Sequence, residues 1–106
     1  MSLSFGFFQP FRNPPKWRMP WNEFYESQMQ LAKRAEDLGY DEIWLSEHHF
    51  TEDGWSPSLF TIAGALAQRT TTIRIGTFVV LVPLGKHPIS VVEDATTADI
   101  LSNGRF

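Results

Sequence analysis

The chain has 106 residues, 42% hydrophobic and 20% charged, a balance that supports one packed domain and argues against disorder. Its formal charge of −3 gives neither nucleic acid nor an anionic membrane an electrostatic hold. There is no cysteine, which excludes a disulfide framework, a thiolate metal site and a cysteine nucleophile. No run approaches the roughly 20 apolar residues that cross a bilayer. The start, Met1-Ser2-Leu3-Ser4, lacks the basic and apolar parts of a signal peptide, so a cytoplasmic protein is expected.

The first predicted strand covers residues 3–8, with Leu3, Phe5 and Phe7 on one face. Pro10, Pro14, Pro15 and Pro20 then impose a loop. A helix is predicted from about residue 22 to 38, with Asn22 as N-cap, Glu23 and Glu26 near its positive end and Lys33 and Arg34 near its negative end. Its apolar stripe is read as Phe24, Leu31, Ala35 and Leu38, and Gly39 closes it in the left-handed conformation. A second strand, residues 42–46, runs straight into Glu47-His48-His49-Phe50. Ser56-Pro57 reads as a cap followed by proline opening a second helix, whose buried face is Leu59, Ile62, Ala63, Leu66 and Ala67. A β-branched third strand is predicted over residues 73–81, ended by Pro83. Pro88 opens a third helix with Val91, Ala95, Ala98 and Leu101 on one side. Ser102-Asn103-Gly104 punctuates the chain, and Arg105-Phe106 begins a fourth strand.

Strands alternating with helices through such loops imply right-handed βαβ units and a parallel sheet, an α/β fold. No low-complexity tract or linker divides it, so residues 1–106 are read as one unit of about three and a half βα repeats. In a parallel barrel the chemistry sits at the carboxyl ends of strands. Glu47, His48 and His49 stand at such an end. An imidazole there serves either as a proton donor and acceptor oriented by the carboxylate, or as a structural hydrogen-bonding group. Adjacent histidines on extended backbone point to opposite faces and chelate one ion poorly, so no metal is expected.

The run Trp44 to Phe50, continued by Thr51, Glu52 and Gly54, resembles the W-x-x-E-H-H-F signature of the bacterial-luciferase-like flavin monooxygenases. Other segments are similar to that family in collinear order: Phe5-Gly6-Phe7-Phe8-Gln9-Pro10, then Arg74-Ile75-Gly76-Thr77 with Val79-Val80-Leu81-Val82-Pro83. His87-Pro88 with Val92-Glu93-Asp94 and Ser102-Asn103-Gly104-Arg105-Phe106 complete the series.

The resemblance implies the N-terminal part of a (β/α)8 barrel of TIM type, which typically needs about 250 residues. It implies a monooxygenase using reduced flavin of the FMN type, or in some relatives a deazaflavin, with O2 and a small organic substrate. A flavin or deazaflavin dehydrogenase or reductase on the same scaffold, and a short non-catalytic assembly paralogue, are the alternatives. His48 matches the family's active-site histidine, a general acid/base. His49 and Glu47 match positions that support the site or a subunit interface. Thr77, Phe78 and Val79 match the flavin-facing end of strand three, where relatives often carry a non-prolyl cis peptide. Here the pair is Phe-Val, where the bioluminescent members have two small residues. Phe11, Trp17, Trp21 and Trp55 are read either as pocket lining or as core cover. Phe5, Phe7, Ile75 and Val79 are expected to expose apolar surface on a partial barrel, so pairing with a second copy or with the rest of a barrel is expected.

Overall fold

The computed structural model describes residues 3–82 and 84–106; Met1, Ser2 and the expected strand stop at Pro83 lie outside the described residues. The element order is β1 (Gly6–Gln9), a short 3-10 turn (Pro15–Trp17), α1 (Trp21–Asp37), β2 (Glu42–Leu45), α2 (Leu59–Arg69), β3 (Arg74–Thr77) and α3 (Pro88–Leu101). Among the described residues the sheet has the order β1-β2-β3, and both pairings are parallel. Ile75 N–H donates to the Arg105 carbonyl at 2.8 Å, so the chain returns beside β3 where a fourth strand was expected. Among the described residues no helix is long and apolar enough to cross a membrane.

Alternation along the strands divides the sheet's side chains. Ile43, Leu45 and Ile75 are buried with Leu59, Ile62, Ala63, Leu66 and Ala67 of α2 and with Phe24, Met29, Ala32 and Ala35 of α1. Phe7 packs against this cluster too. Gly6, Phe8, Glu42, Trp44, Arg74 and Gly76 occupy the alternate positions of the same register. The expected α2 face is therefore the observed one.

Other expectations need correction. Ile75 is only 2% exposed and Phe7 packs on the core, because both face the helices and not the open side. Phe5 and Val79 are exposed as expected. The strands are shorter than read, since β1 starts at Gly6 and β3 stops at Thr77. Asn22 lies inside α1, whose N-cap is Pro20, with no side-chain cap. Leu31 and Leu38 face solvent, and the small residues Ala32 and Ala35 with Met29 form the buried stripe, because they let α1 approach the sheet closely. The cap of α2 is Ser58, two residues after Ser56; the Ser56 hydroxyl is buried and its carbonyl accepts from His48 N–H at 3.2 Å. In α3 Ala98 is buried, whereas Leu101 is half in solvent. Gly39 does adopt a positive φ of 85° at the end of α1.

Two polar groups fix the end of the sheet where strands begin and helices end. Glu36 Oε1 accepts the backbone N–H groups of Thr71 at 2.8 Å, Thr72 at 2.6 Å and Ile73 at 3.0 Å, while Lys33 Nζ lies 3.2 Å from Oε2. Arg105 spends its donors on the carbonyls of Ala67, Thr70, Ile73 and Ser102 and on Thr70 Oγ1. It thereby caps α2, whose last carbonyls have no partner within the helix.

Burial alone would raise the Glu36 carboxyl, but the three backbone donors and Lys33 hold it down to about 2 from an ordinary 4.5. A carboxyl lowered by folding stabilises fully above its unfolded pKa, and that contribution drains away as pH falls toward the folded value. Glu36→Gln should lower stability at pH 7 by about 1–3 kcal/mol. It should also flatten the loss of stability between pH 4.5 and about 2. Urea unfolding followed by circular dichroism across a pH series checks both, and an equally steep acid limb in the variant contradicts the assignment.

Candidate functional site at the carboxyl edge of the sheet

Register sets Gln9, Leu45 and Thr77 level with one another. The segments that follow all leave the sheet at its carboxyl edge, which brings Phe11–Asn13, Ser46–His49 and Phe78–Val79 to one end of the fold. Phe78 N–H donates to the Leu45 carbonyl at 2.6 Å, so β3 stays fastened to β2 one residue beyond the ladder.

Glu47 and His49 form a bonded pair. The Glu47 side chain is fully buried, and its Oε1 accepts from His49 Nε2 at 2.6 Å. Lys86 Nζ lies 3.1 Å from the same oxygen, and Oε2 accepts the Leu81 backbone N–H at 3.1 Å. Burial pushes the Glu47 carboxyl up, but His49, the Leu81 amide and Lys86 outweigh it and hold the group below the usual carboxylate range. It therefore stays ionised in the interior.

His48 points elsewhere. Its ring is exposed and packs 5.2 Å from the Trp55 ring, on a hollow of about 370 Å³ shared with Arg12, Thr51, Glu52 and Asp53. Trp55 is held by a hydrogen bond from Nε1 to Ser46 Oγ at 2.6 Å and is covered by the Arg12 guanidinium at 4.8 Å. Arg12 in turn pairs with Asp53 at 2.6 Å and holds that carboxyl below its ordinary range. The two histidines thus separate into one half-buried ring braced by a carboxylate and one exposed ring facing a hollow, as opposite-face geometry requires. Of the aromatic residues read as pocket lining, Trp55 faces this hollow; Phe11 is fully buried in the core, Trp17 is exposed, and Trp21 packs on Phe24.

Phe78 and Val79 stand 65% and 54% exposed, and the peptide bond between them is cis. Phe78 packs edge-on against Phe8, 6.4 Å between centroids. With Gly6 and Trp44 they border an open apolar space of about 460 Å³ on the sheet face away from the helices. Trp44 lies across that face. A β-carbon on Gly76 would stand 2.6 Å from Trp44 Cζ3, and one on Gly6 2.8 Å from Nε1, so the two glycines on neighbouring strands make room for one indole. Its Nε1 donates to Glu42 Oε2 at 3.0 Å.

Lys86, Arg12 and Asp53 were not singled out from the sequence. Their partners lie 39 residues away for Lys86–Glu47 and 41 for Arg12–Asp53, a separation that no local pattern encodes. His87 caps α3 by accepting the Ile89 N–H on Nδ1 at 3.2 Å; its place directly before Pro88 is the signal that could have found it.

The family described as luciferase-like monooxygenase matches the chain over residues 3–106. The alkanal monooxygenase alpha chain of Photorhabdus laumondii subsp. laumondii is 33% identical over 104 residues, which are 98% of this chain and 28% of that one. Among solved structures, the monooxygenase RslO1 from Streptomyces bottropensis superposes with a TM-score of 0.86 at 31% identity, over 97% of this chain and 31% of that one. The oxygenating constituent of 3,6-diketocamphane monooxygenase from Pseudomonas putida, solved with FMN, shares the fold with a TM-score of 0.85 at 21% identity, over 99% of this chain and 28% of that one. The chain therefore spans less than a third of the length of each of these relatives.

If Trp44 needs both glycines, Gly76→Ala should cost about 1–3 kcal/mol of stability through overpacking. In a Trp44→Leu background the same substitution should cost less than about half as much, because the atoms it would strike are gone. Urea denaturation of the four proteins of this cycle measures the coupling, and strictly additive costs would show that the indole is not what excludes a side chain at position 76.

Proposed function

This chain belongs to the luciferase-like monooxygenase family, and from that premise we propose that it forms the first three and a half βα units of a barrel oxidoreductase using reduced FMN and O2 on a small organic substrate. The observation that carries the reading is the convergence at one edge of an exposed imidazole, His48, and an exposed apolar pair, Phe78–Val79, of which Phe78 borders an open space. Register brings those segments together, and a parallel barrel places its chemistry at that edge.

The residues present suit a flat, largely apolar ring system. Thr77, Phe78 and Val79 would hold it at the end of β3; of these Phe78 borders the apolar space, together with Gly6, Phe8 and Trp44. When bound, the reduced flavin supplies the electrons that activate O2. The chain's own residues do the rest. His48 holds or moves a proton at its exposed ring, within a wall made by Trp55 and Arg12. Glu47 and His49 brace the edge. Apolar surface on the open sheet face excludes water when the space is covered, either by the remainder of the barrel or by a second copy. A small-molecule substrate and a cytoplasmic setting belong to this reading, and neither nucleic acid nor a membrane has a part in it.

In the full-length protein, His48→Ala should lower turnover by about 10²–10⁴-fold, the usual contribution of a positioned acid or base. FMN affinity should change by no more than a few fold, since flavin contacts are spread over other residues. Oxygen consumption and flavin fluorescence quenching measure the two separately. Equal loss of both would make His48 structural. Substrate oxidation without O2 uptake would favour a dehydrogenase on this scaffold, and a protein that binds no flavin would favour an assembly role.

A further inference from the structure

Lys86 is the least expected member of the carboxyl edge. It lies in the segment that links β3 to α3, and its ammonium nitrogen is buried 3.1 Å from Glu47 Oε1, with the Phe60 ring 5.6 Å away. A buried carboxylate needs compensation, because removing one partner of such a pair leaves an uncompensated charge in the interior. His49 satisfies a hydrogen bond to Glu47, but it supplies a full positive charge only when protonated. Lys86 brings an ammonium group to the same oxygen, 3.1 Å away.

The same carboxylate also takes the Leu81 N–H. Glu47 therefore holds the linking segment at two points five residues apart, one through a backbone amide and one through the Lys86 side chain. Upstream of Leu81 stand Phe78 and Val79, themselves tied to β2 through Phe78 N–H and the Leu45 carbonyl. The exposed pair is thus flanked by two anchors, Phe78 to the end of β2 and Leu81 to Glu47 just beyond it.

We propose that Lys86 is a positioning residue: by neutralising buried Glu47 it latches the segment after β3 to the end of β2 and so fixes Phe78–Val79 against the flavin. The last clause rests on the proposed flavin reading; the latch itself does not. Lys86 touches neither flavin nor substrate and acts through Glu47.

The test uses the full-length protein with three variants: Lys86→Met, Lys86→Arg and the neutral pair Glu47→Gln/Lys86→Met. Amide hydrogen exchange is read at Leu81, with Ile75 in β3 as the reference. Lys86→Met should speed exchange at Leu81 by at least about tenfold while Ile75 changes less than about twofold, as local and not global opening requires. Lys86→Arg should restore Leu81 to within about threefold of the unsubstituted protein. The neutral pair leaves no stranded charge and so should fold even if Lys86→Met does not; it too should keep Leu81 fast relative to Ile75. FMN affinity, from fluorescence quenching, should fall about three- to tenfold in Lys86→Met and recover in Lys86→Arg. Unchanged exchange at Leu81 in the neutral pair, or an equal rise at Leu81 and Ile75, overturns the latch. If the unsubstituted protein binds no FMN, the flavin reading falls, and the Leu81 exchange still decides the role of Lys86.

Discussion

Glu36 and Glu47 stand at opposite ends of the sheet, and each gathers backbone donors from a segment that the strand ladder does not reach. Every strand contributes four residues, so the parallel pairing itself fixes little of the chain around it. At the amino end, Glu36 takes three consecutive amides just before β3. At the carboxyl end, Glu47 takes the Leu81 amide just after it. Strand β3 is therefore clamped from both sides by carboxylates that belong to other elements, α1 and the end of β2. Both are shielded from water, and both remain ionised because donors surround them. A short parallel sheet held in this way can present a rigid edge on which loops carry chemistry.

The two sides of the sheet use different economies of space. Toward the helices, branched and aliphatic side chains interlock with alanines of α1 and α2, which is why Ala32 and Ala35 outrank Leu31 as buried positions. Toward the open side, one large indole replaces several medium residues, and glycines on both neighbouring strands accept its width. That arrangement leaves Phe8 and Phe78 standing proud at the carboxyl end, edge to face. The apolar space there follows from how Trp44 lies as much as from the residues that rim it.

Periodicity carried the α2 face because an eleven-residue helix offers enough turns to separate inward from outward positions. It failed for Ile75, since one strand over residues 73–81 groups it with Val79; the ladder ends at Thr77, so the two do not share a face, and Ile75 packs toward the helices while Val79 stands exposed. It failed at the start of α1 because Asn22 has the chemistry of a cap, whereas Pro20 sets the entry. The signature around His48 gave the carboxyl-edge placement directly. What stands around it was hidden for a simpler reason. Arg12 with Asp53, Lys86 with Glu47 and Arg105 with α2 are pairings between distant segments, and nothing within a few residues of either partner announces them.

Arg105 has a consequence for how such repeats are divided. Its guanidinium satisfies the final carbonyls of α2, yet it arrives 36 residues after that helix ends, once β3 and α3 have been made. A repeat counted from strand to helix is thus incomplete until the residue that follows the next helix has returned beside β3, and neighbouring repeats overlap like roof tiles. During synthesis, α2 would leave the ribosome with its tail still hydrated and lose that water only when residue 105 swings back over it. Recombination between relatives that cuts ahead of this arginine would part a helix from its stopper, so the natural module boundary in this chain falls beyond the turn that follows α3 and not at the end of α2.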